Sequence, residues 1–232
     1  GASLTGSIVG GVRTSLTTSG SDVSTGVAGL GDIILSSGTA QGDIQFVNAL
    51  VEANDALIFT ASGGGIYVSG YGLRAIHAIL SAKDSITGDK DDRDAFQLVA
   101  ETLVANVSGT GLIRVSNLGS LDVKQATTVQ GVIVLSTRAL SAAVAGSMIA
   151  RQIQAGSSSN QSVLLSASLA SQVTRSATNQ ALATVTLGSV SAGDVEIIAG
   201  TTVDQIAGSI VTANSVAVMT NEATTLSGLD VN

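Results

Sequence analysis

Apolar residues are densest between Val123 and Ala155, VKQATTVQGVIVLSTRALSAAVAGSMIARQIQA, where Val132, Ile133, Val134 and Leu135 are consecutive and Ala139, Leu140, Ala142, Ala143 and Val144 follow. No proline interrupts the run, and its apolar side chains would cover nearly the whole circumference of a helix, which predicts a helix buried on most sides. At ~1.5 Å per residue such a helix extends roughly 45–50 Å, more than a domain of this size covers from its own chain. Neighbouring subunits are the expected cover, with Val132, Val134 and Leu135 at the contact.

Spacings of three and four recur elsewhere. They predict a helix from Thr39 to just before Gly63 through Ile44, Val47, Leu50, Val51 and Leu57, and a second over 67–82 through Leu73, Ile76, Ile79 and Leu80. A third carries Phe96, Val99, Leu103 and Val107, and a fourth, over 162–187, carries Leu165, Leu169, Val173 and Ala177. A last helix runs through Ile206, Ile210 and Val211 after a capping-box-like start at Thr201 to Gln205. Short strands are expected at 31–37, 112–115 and 193–199. The fold class these elements predict is mainly α with a few short β-strands, an α+β arrangement of long small-residue helices in a bundle. Abundant Val, Ile and Thr make all-β the alternative.

Residues 1–30 alternate in short pieces without sustained helical spacing and read as an extended arm, leaving 31–232 as a single mainly helical domain. An arm of this kind adds to a neighbour's sheet edge, with Ile8 and Val12 setting the register. One internal similarity stands out. Gly31-Asp32, Gly38-Thr39 and Val51, Ala53, Asn54 recur as Gly193-Asp194, Gly200-Thr201 and Val211, Ala213, Asn214, a period that reads as too long for a solenoid array.

Composition changes the picture of the surface. Hydrophobic residues make up 44% of the 232, so the chain folds, but only 12% are charged against ~25% in ordinary soluble domains. Ser, Thr, Asn and Gln must therefore supply the outside, and such a surface resists self-association poorly. Aromatics are 2%, and all five, Phe46, Phe59, Tyr67, Tyr71 and Phe96, precede residue 100. Ten scattered Lys and Arg within a net charge of -7 argue against a nucleic-acid partner. Absence of cysteine removes disulfides and thiolate metal sites. The chain starts at Gly1, which reads as removal of a targeting segment. Gly131 to Ala150 is long enough to span a bilayer, but Arg138 near its centre would cost ~2.5–3.5 kcal/mol, so membrane insertion is not expected.

Candidate chemistry is sparse. Asp84, Asp89, Asp91, Asp92 and Asp94 fall within eleven residues, and hard cations take oxygen ligands, so Asp89, Asp91, Asp92 and Asp94 form the one candidate calcium loop. It lacks the glycine and final glutamate of an EF-hand and reads first as a solvated loop capping the helix that begins near Phe96. His77 is the only histidine and reads as a helix-packing residue. No G-x-S-x-G occurs, and the glycines from Gly63 to Gly72 fit no phosphate-loop pattern. Asn106-Val107-Ser108 and Asn160-Gln161-Ser162 match the glycosylation pattern as expected by chance in a Ser-rich chain.

The function these features predict is a self-assembling structural subunit of an extracellular filament, tube or sheath, whose partners are copies of itself. No catalytic residue, cofactor or small-molecule substrate is expected. The alternative is a cell-surface adhesin or calcium-dependent binding module with the acidic loop as its tip.

Overall fold

The computed structural model describes residues 8–10, 13–18, 27–29, 31–38, 42–47, 50–69, 72–91, 94–140, 146–156, 161–168 and 183–220. Among these residues there is no helix, and every regular element is a parallel strand, so the expected mainly α bundle is replaced by an all-β fold. In chain order the strands are β1 (Ile8–Gly10), β2 (Arg13–Thr18), β3 (Val27–Gly29), β4 (Asp32–Ser37), β5 (Ile44–Val47), β6 (Leu50–Ala53), β7 (Ala56–Ala61), β8 (Ile66–Ser69) and β9 (Gly72–Arg74). They continue with β10 (His77–Ala82), β11 (Ile86–Thr87), β12 (Phe96–Val99), β13 (Thr102–Val107), β14 (Ile113–Leu118), β15 (Leu121–Thr128), β16 (Ile133–Arg138) and β17 (Met148–Gln154). The last are β18 (Ser162–Ser168), β19 (Val185–Ser191), β20 (Asp194–Ala199), β21 (Val203–Gln205), β22 (Val211–Thr212) and β23 (Ser215–Thr220).

These strands stack as a parallel β-solenoid. One sheet runs β1-β3-β6-β9-β12-β14-β16-β18-β20-β23 and the other β2-β4-β7-β10-β13-β15-β17-β19-β21, so the chain alternates between two faces and returns one strand further along on each circuit. On the second sheet the circuits advance from Ile33 to Leu57, Ala78, Leu103, Val123 and Ala150. Rungs of unequal length hide this period from the sequence. With strands ~4.8 Å apart, the nine strands of the second sheet span about 38 Å along the stack.

The N-terminal rungs have three sides, because β5, β8 and β11 pair as a further face. That face closes at β14, whose Ile113 pairs with Ile86 of β11 while Val115 pairs with Phe96 of β12. The acidic segment between Thr87 and Phe96 is thus an excursion from a rung. It leaves where three sides become two.

Side chains alternate, and the inward ones form columns down the stack. Ile44, Ile66, Ile86, Ile113, Ile133, Val163 and Val195 are successive register partners and are all buried. A second column holds Leu35, Phe59, Leu80, Ala105, Ala126, Ile153 and Val190. Phe46 and Phe59 stack inside with ring centres 5.6 Å apart. β-Branched residues suit these columns because their restricted rotamers match the pleat.

The predicted 123–155 helix is three strands, β15, β16 and β17. Leu135 points inward and is fully buried, whereas Val132 and Val134 are half-buried, Val134 on the outer surface of β16. The Phe96–Val107 helix is likewise β12 and β13, with Phe96, Leu98, Leu103, Ala105 and Val107 inside. The 39–62, 67–82 and 162–187 helices and the terminal one through Ile206 are also replaced, wherever residues are described, by strands and turns. The three expected strands coincide with β4, the start of β14, and β20. The two copies of the internal similarity sit on different sheets, β4 on one and β20 on the other, so they are not equivalent parts of a repeat. Within 1–30, β1 pairs with β3, β3 with β6, and β2 with β4 of the same chain.

Candidate functional site

Three outer features carry polar or exposed apolar groups. The first is the outward face of the second sheet. There Ile34, Ile58, Ile79 and Val104 are register partners, and beside them Ser36, Thr60, Ser81, Asn106, Thr127 and Gln154 form a row of hydroxyls and amides. The two rows arise because these strands place an outward aliphatic residue two positions before an outward polar one. Thr127 donates to the Asn106 carboxamide at 2.7 Å within the polar row.

The second feature is the charged border at the start of the same strands. His77 opens β10, solvent-exposed, with Nδ1 2.9 Å from Thr102 Oγ1 of the next rung and Nε2 3.8 Å from Asp55 Oδ1 of the corner before β7. The expected helix-packing role is thereby replaced by an exposed clip between rungs. Asp, His and Thr in sequence resemble a nucleophile and base, but the Asp55 contact is beyond hydrogen-bond length and the group lies open on a sheet. Further along, Arg151 grips Asp122 through both carboxylate oxygens at 2.7 and 2.8 Å, and Lys124 reaches the same carboxylate at 2.6 Å. Lys124 is the extra residue of a bulge, since Leu103 pairs with Val123 but Val104 with Gln125. The hydrogen-bonded Arg151 guanidinium holds the Asp122 carboxyl below its ordinary range despite partial burial, and Asp122 in turn raises Arg151.

The third feature is a groove of about 490 Å³ along the corner where the first sheet hands over to the second. Ile76, Leu118 and Leu140 line it as exposed aliphatics, with Arg74, Glu101 and Ser120 among its polar groups. Beneath it Asn117 is fully buried, and Gly119 turns the chain at φ +99°.

The acidic loop is tied back rather than gathered around a point. Lys90 pairs with Asp43 at 2.5 Å and sits 5.7 Å from the centre of the Tyr67 ring, while Asp43 also accepts from the Gly65 amide at 2.9 Å. Asp89 accepts from the Asp94 amide at 3.3 Å, Asp91 and Asp94 are exposed, and Asp92 lies outside the described residues. Among the described residues no three acidic or histidine side chains come together as a metal site.

Of the predicted subunit contacts, Val132, Val134 and Leu135 remain neighbours in chain order but divide between surface and core. Ile8 lies in β1, opposite Val27, and Val12 lies outside the described residues. Asn106 of the first glycosylation pattern sits half-buried in β13, and Asn160 of the second lies outside the described residues. Among the described residues no helix is long and apolar enough to cross a membrane. The outer rows, the Asp122–Arg151 pair and the corner groove join residues twenty or more apart through the register. No local motif announces them. The chain matches no family model, no curated protein and no solved structure.

Proposed function

We propose that the chain is a structural subunit that assembles along its own stacking axis into an extracellular filament, tube or sheath. The observation that carries this is the state of the terminal strands: among the described strands, β23 pairs only with β20 and β21 only with β19. A terminal strand with no further ladder partner among the described strands is a template for another strand, and the inner columns reach that end with Val216 and Val218 only partly covered. Addition of a further rung there would extend both ladder and core. The charge-poor composition supports the same reading, since little repulsion opposes stacking.

Negative-stain microscopy at neutral pH and high protein concentration tests it. Rods several times longer than the ~38 Å second sheet are expected. Particles that stay at single-stack length would overturn the reading.

A second reading, a cell-surface adhesin, is favoured by the corner groove, which runs across successive rungs and exposes Ile76, Leu118 and Leu140. An extended chain would lie along it. Weaker adhesion to a target surface in Leu118→Glu, with the fold retained, is its expected signature; unchanged adhesion would remove it.

A further inference from the structure

We infer that the outward face of β4, β7, β10 and β13 is a lateral docking surface for the same face of a second copy, packed antiparallel. Across these four strands the two central outward rows are Ile34, Ile58, Ile79, Val104 and Ser36, Thr60, Ser81, Asn106, and none is charged. Ile79 is 40% exposed, and its row neighbours Ile34, Ile58 and Val104 are half-buried. An unbroken aliphatic row on a flat outer sheet is the kind of surface that a solvated face avoids.

The choice of a second copy follows from self-complementarity. A two-fold axis lying parallel to the strands sets the two stacks antiparallel and brings each row opposite itself, so aliphatics meet aliphatics and hydroxyls and amides meet groups that both donate and accept. In a chain of net charge -7 the two central rows bring no like charges together, and the border groups Asp32, Asp55, His77 and Asp122 stay at the rim. Among the described residues a saccharide partner finds no aromatic platform, because Phe46, Phe59 and Phe96 are fully buried and Tyr67 nearly so. Four rungs at ~4.8 Å and six residues at ~3.3 Å give roughly 400 Å² per copy, so the pair is a weak one that forms at high concentration. This lateral contact does not depend on the end-to-end growth proposed above.

Sedimentation velocity of the full chain over a wide concentration range tests the contact. The wild type is expected to shift towards dimer as concentration rises, with Ile79→Lys and Ser81→Lys each weakening the dimer at least tenfold. Ser136→Lys, on the other sheet, should dimerise like the wild type, and circular dichroism checks that each variant keeps its strands. A wild type that stays monomeric throughout, or a folded Ile79→Lys that associates equally well, overturns the inference. Microscopy separates it from the filament reading. Ile79→Lys rods of single width where the wild type shows paired rods support the lateral contact, whereas wild-type rods of single width alone overturn it and leave axial growth standing.

Discussion

The buried carboxamide of Asn117 closes a two-way bond with the backbone of Ala100 one rung earlier, accepting from its amide at 2.9 Å and donating to its carbonyl at 3.1 Å. The same Nδ2 lies 3.2 Å from the Gly119 carbonyl and 3.3 Å from that of Ser120. At this corner the strands end, so these backbone groups lack ladder partners, and the side chain replaces the missing sheet bonds in a place water does not reach.

Asn117→Ala should therefore lower stability by about 2–3 kcal/mol, the cost of leaving buried backbone groups unpaired. A falling urea midpoint at unchanged slope is the expected record. Stability equal to wild type would mean that water enters the corner.

Backbone crowding at the opposite corner makes a different demand. A Cβ built on Gly131 would lie 1.9 Å from the Gly111 carbonyl oxygen, a backbone atom that moves only with its rung, whereas one on Gly38 would meet nothing within 4 Å. Gly131→Ala should destabilise by ~2 kcal/mol or more, and Gly38→Ala should stay within ~0.5 kcal/mol of wild type. Equal melting temperatures for the two variants would show that the rungs are free to slide apart.

The Asp122–Arg151 pair sets a pH dependence. The folded carboxyl titrates below its unfolded value of ~3.9, so the stability it contributes is present above that value and is lost as pH falls through the folded pKa. Asp122→Asn should melt below wild type at neutral pH by a margin that is constant down to about pH 5 and shrinks below ~pH 4. A margin that persists unchanged in acid would place the effect in packing rather than charge.

Adjacent residues of β16 offer a contrast. Leu135 is fully buried, so Leu135→Asp strands a carboxylate in the core at a cost of several kcal/mol, comparable with the whole stability of a domain. Val134→Asp keeps its charge at the surface and should fold with only a small loss. If both variants expressed as soluble β-rich protein, the inward column through Leu135 would be less tightly packed than the register requires.

That contrast also explains what the sequence made legible. Val132 to Leu135 reads as a helix buried all round because a strand with aliphatics on both faces has the same continuous run. Phe96, Val99, Leu103 and Val107 fall at helical spacing because Val99 is an outward aliphatic of β12, the corner at Ala100 shifts the phase of the inward positions between the two strands, and Ala105 stands between Leu103 and Val107. Where a strand is short and flanked by glycine, as at 31–37 and 193–199, the local pattern alone marks β4 and β20. The outer rows and the Asp122–Arg151 pair were beyond it, since each depends on which residue of one rung lies over which residue of the next.

Deletion of residues 88–95 probes the rung where the cross-section changes. It would join Thr87 to Phe96, so that Ile86-Thr87-Phe96 could lie in register beneath Ile113-Arg114-Val115, whose first and third residues are already the partners of Ile86 and Phe96. The shortened rung would take the two-sided path of β14 and move the change of shape one rung towards the N-terminus. Its cost is the Lys90–Asp43 pair, the cover that Lys90 gives Tyr67 and the Thr87 hydroxyl's bond to the Asp89 carbonyl, together about 1–3 kcal/mol. The deletion variant should therefore keep the wild-type circular dichroism and a cooperative transition at slightly lower urea. If instead it aggregates or unfolds without cooperativity, the acidic excursion is a plug over the open side of the three-sided rungs and not an insertion the stack can do without.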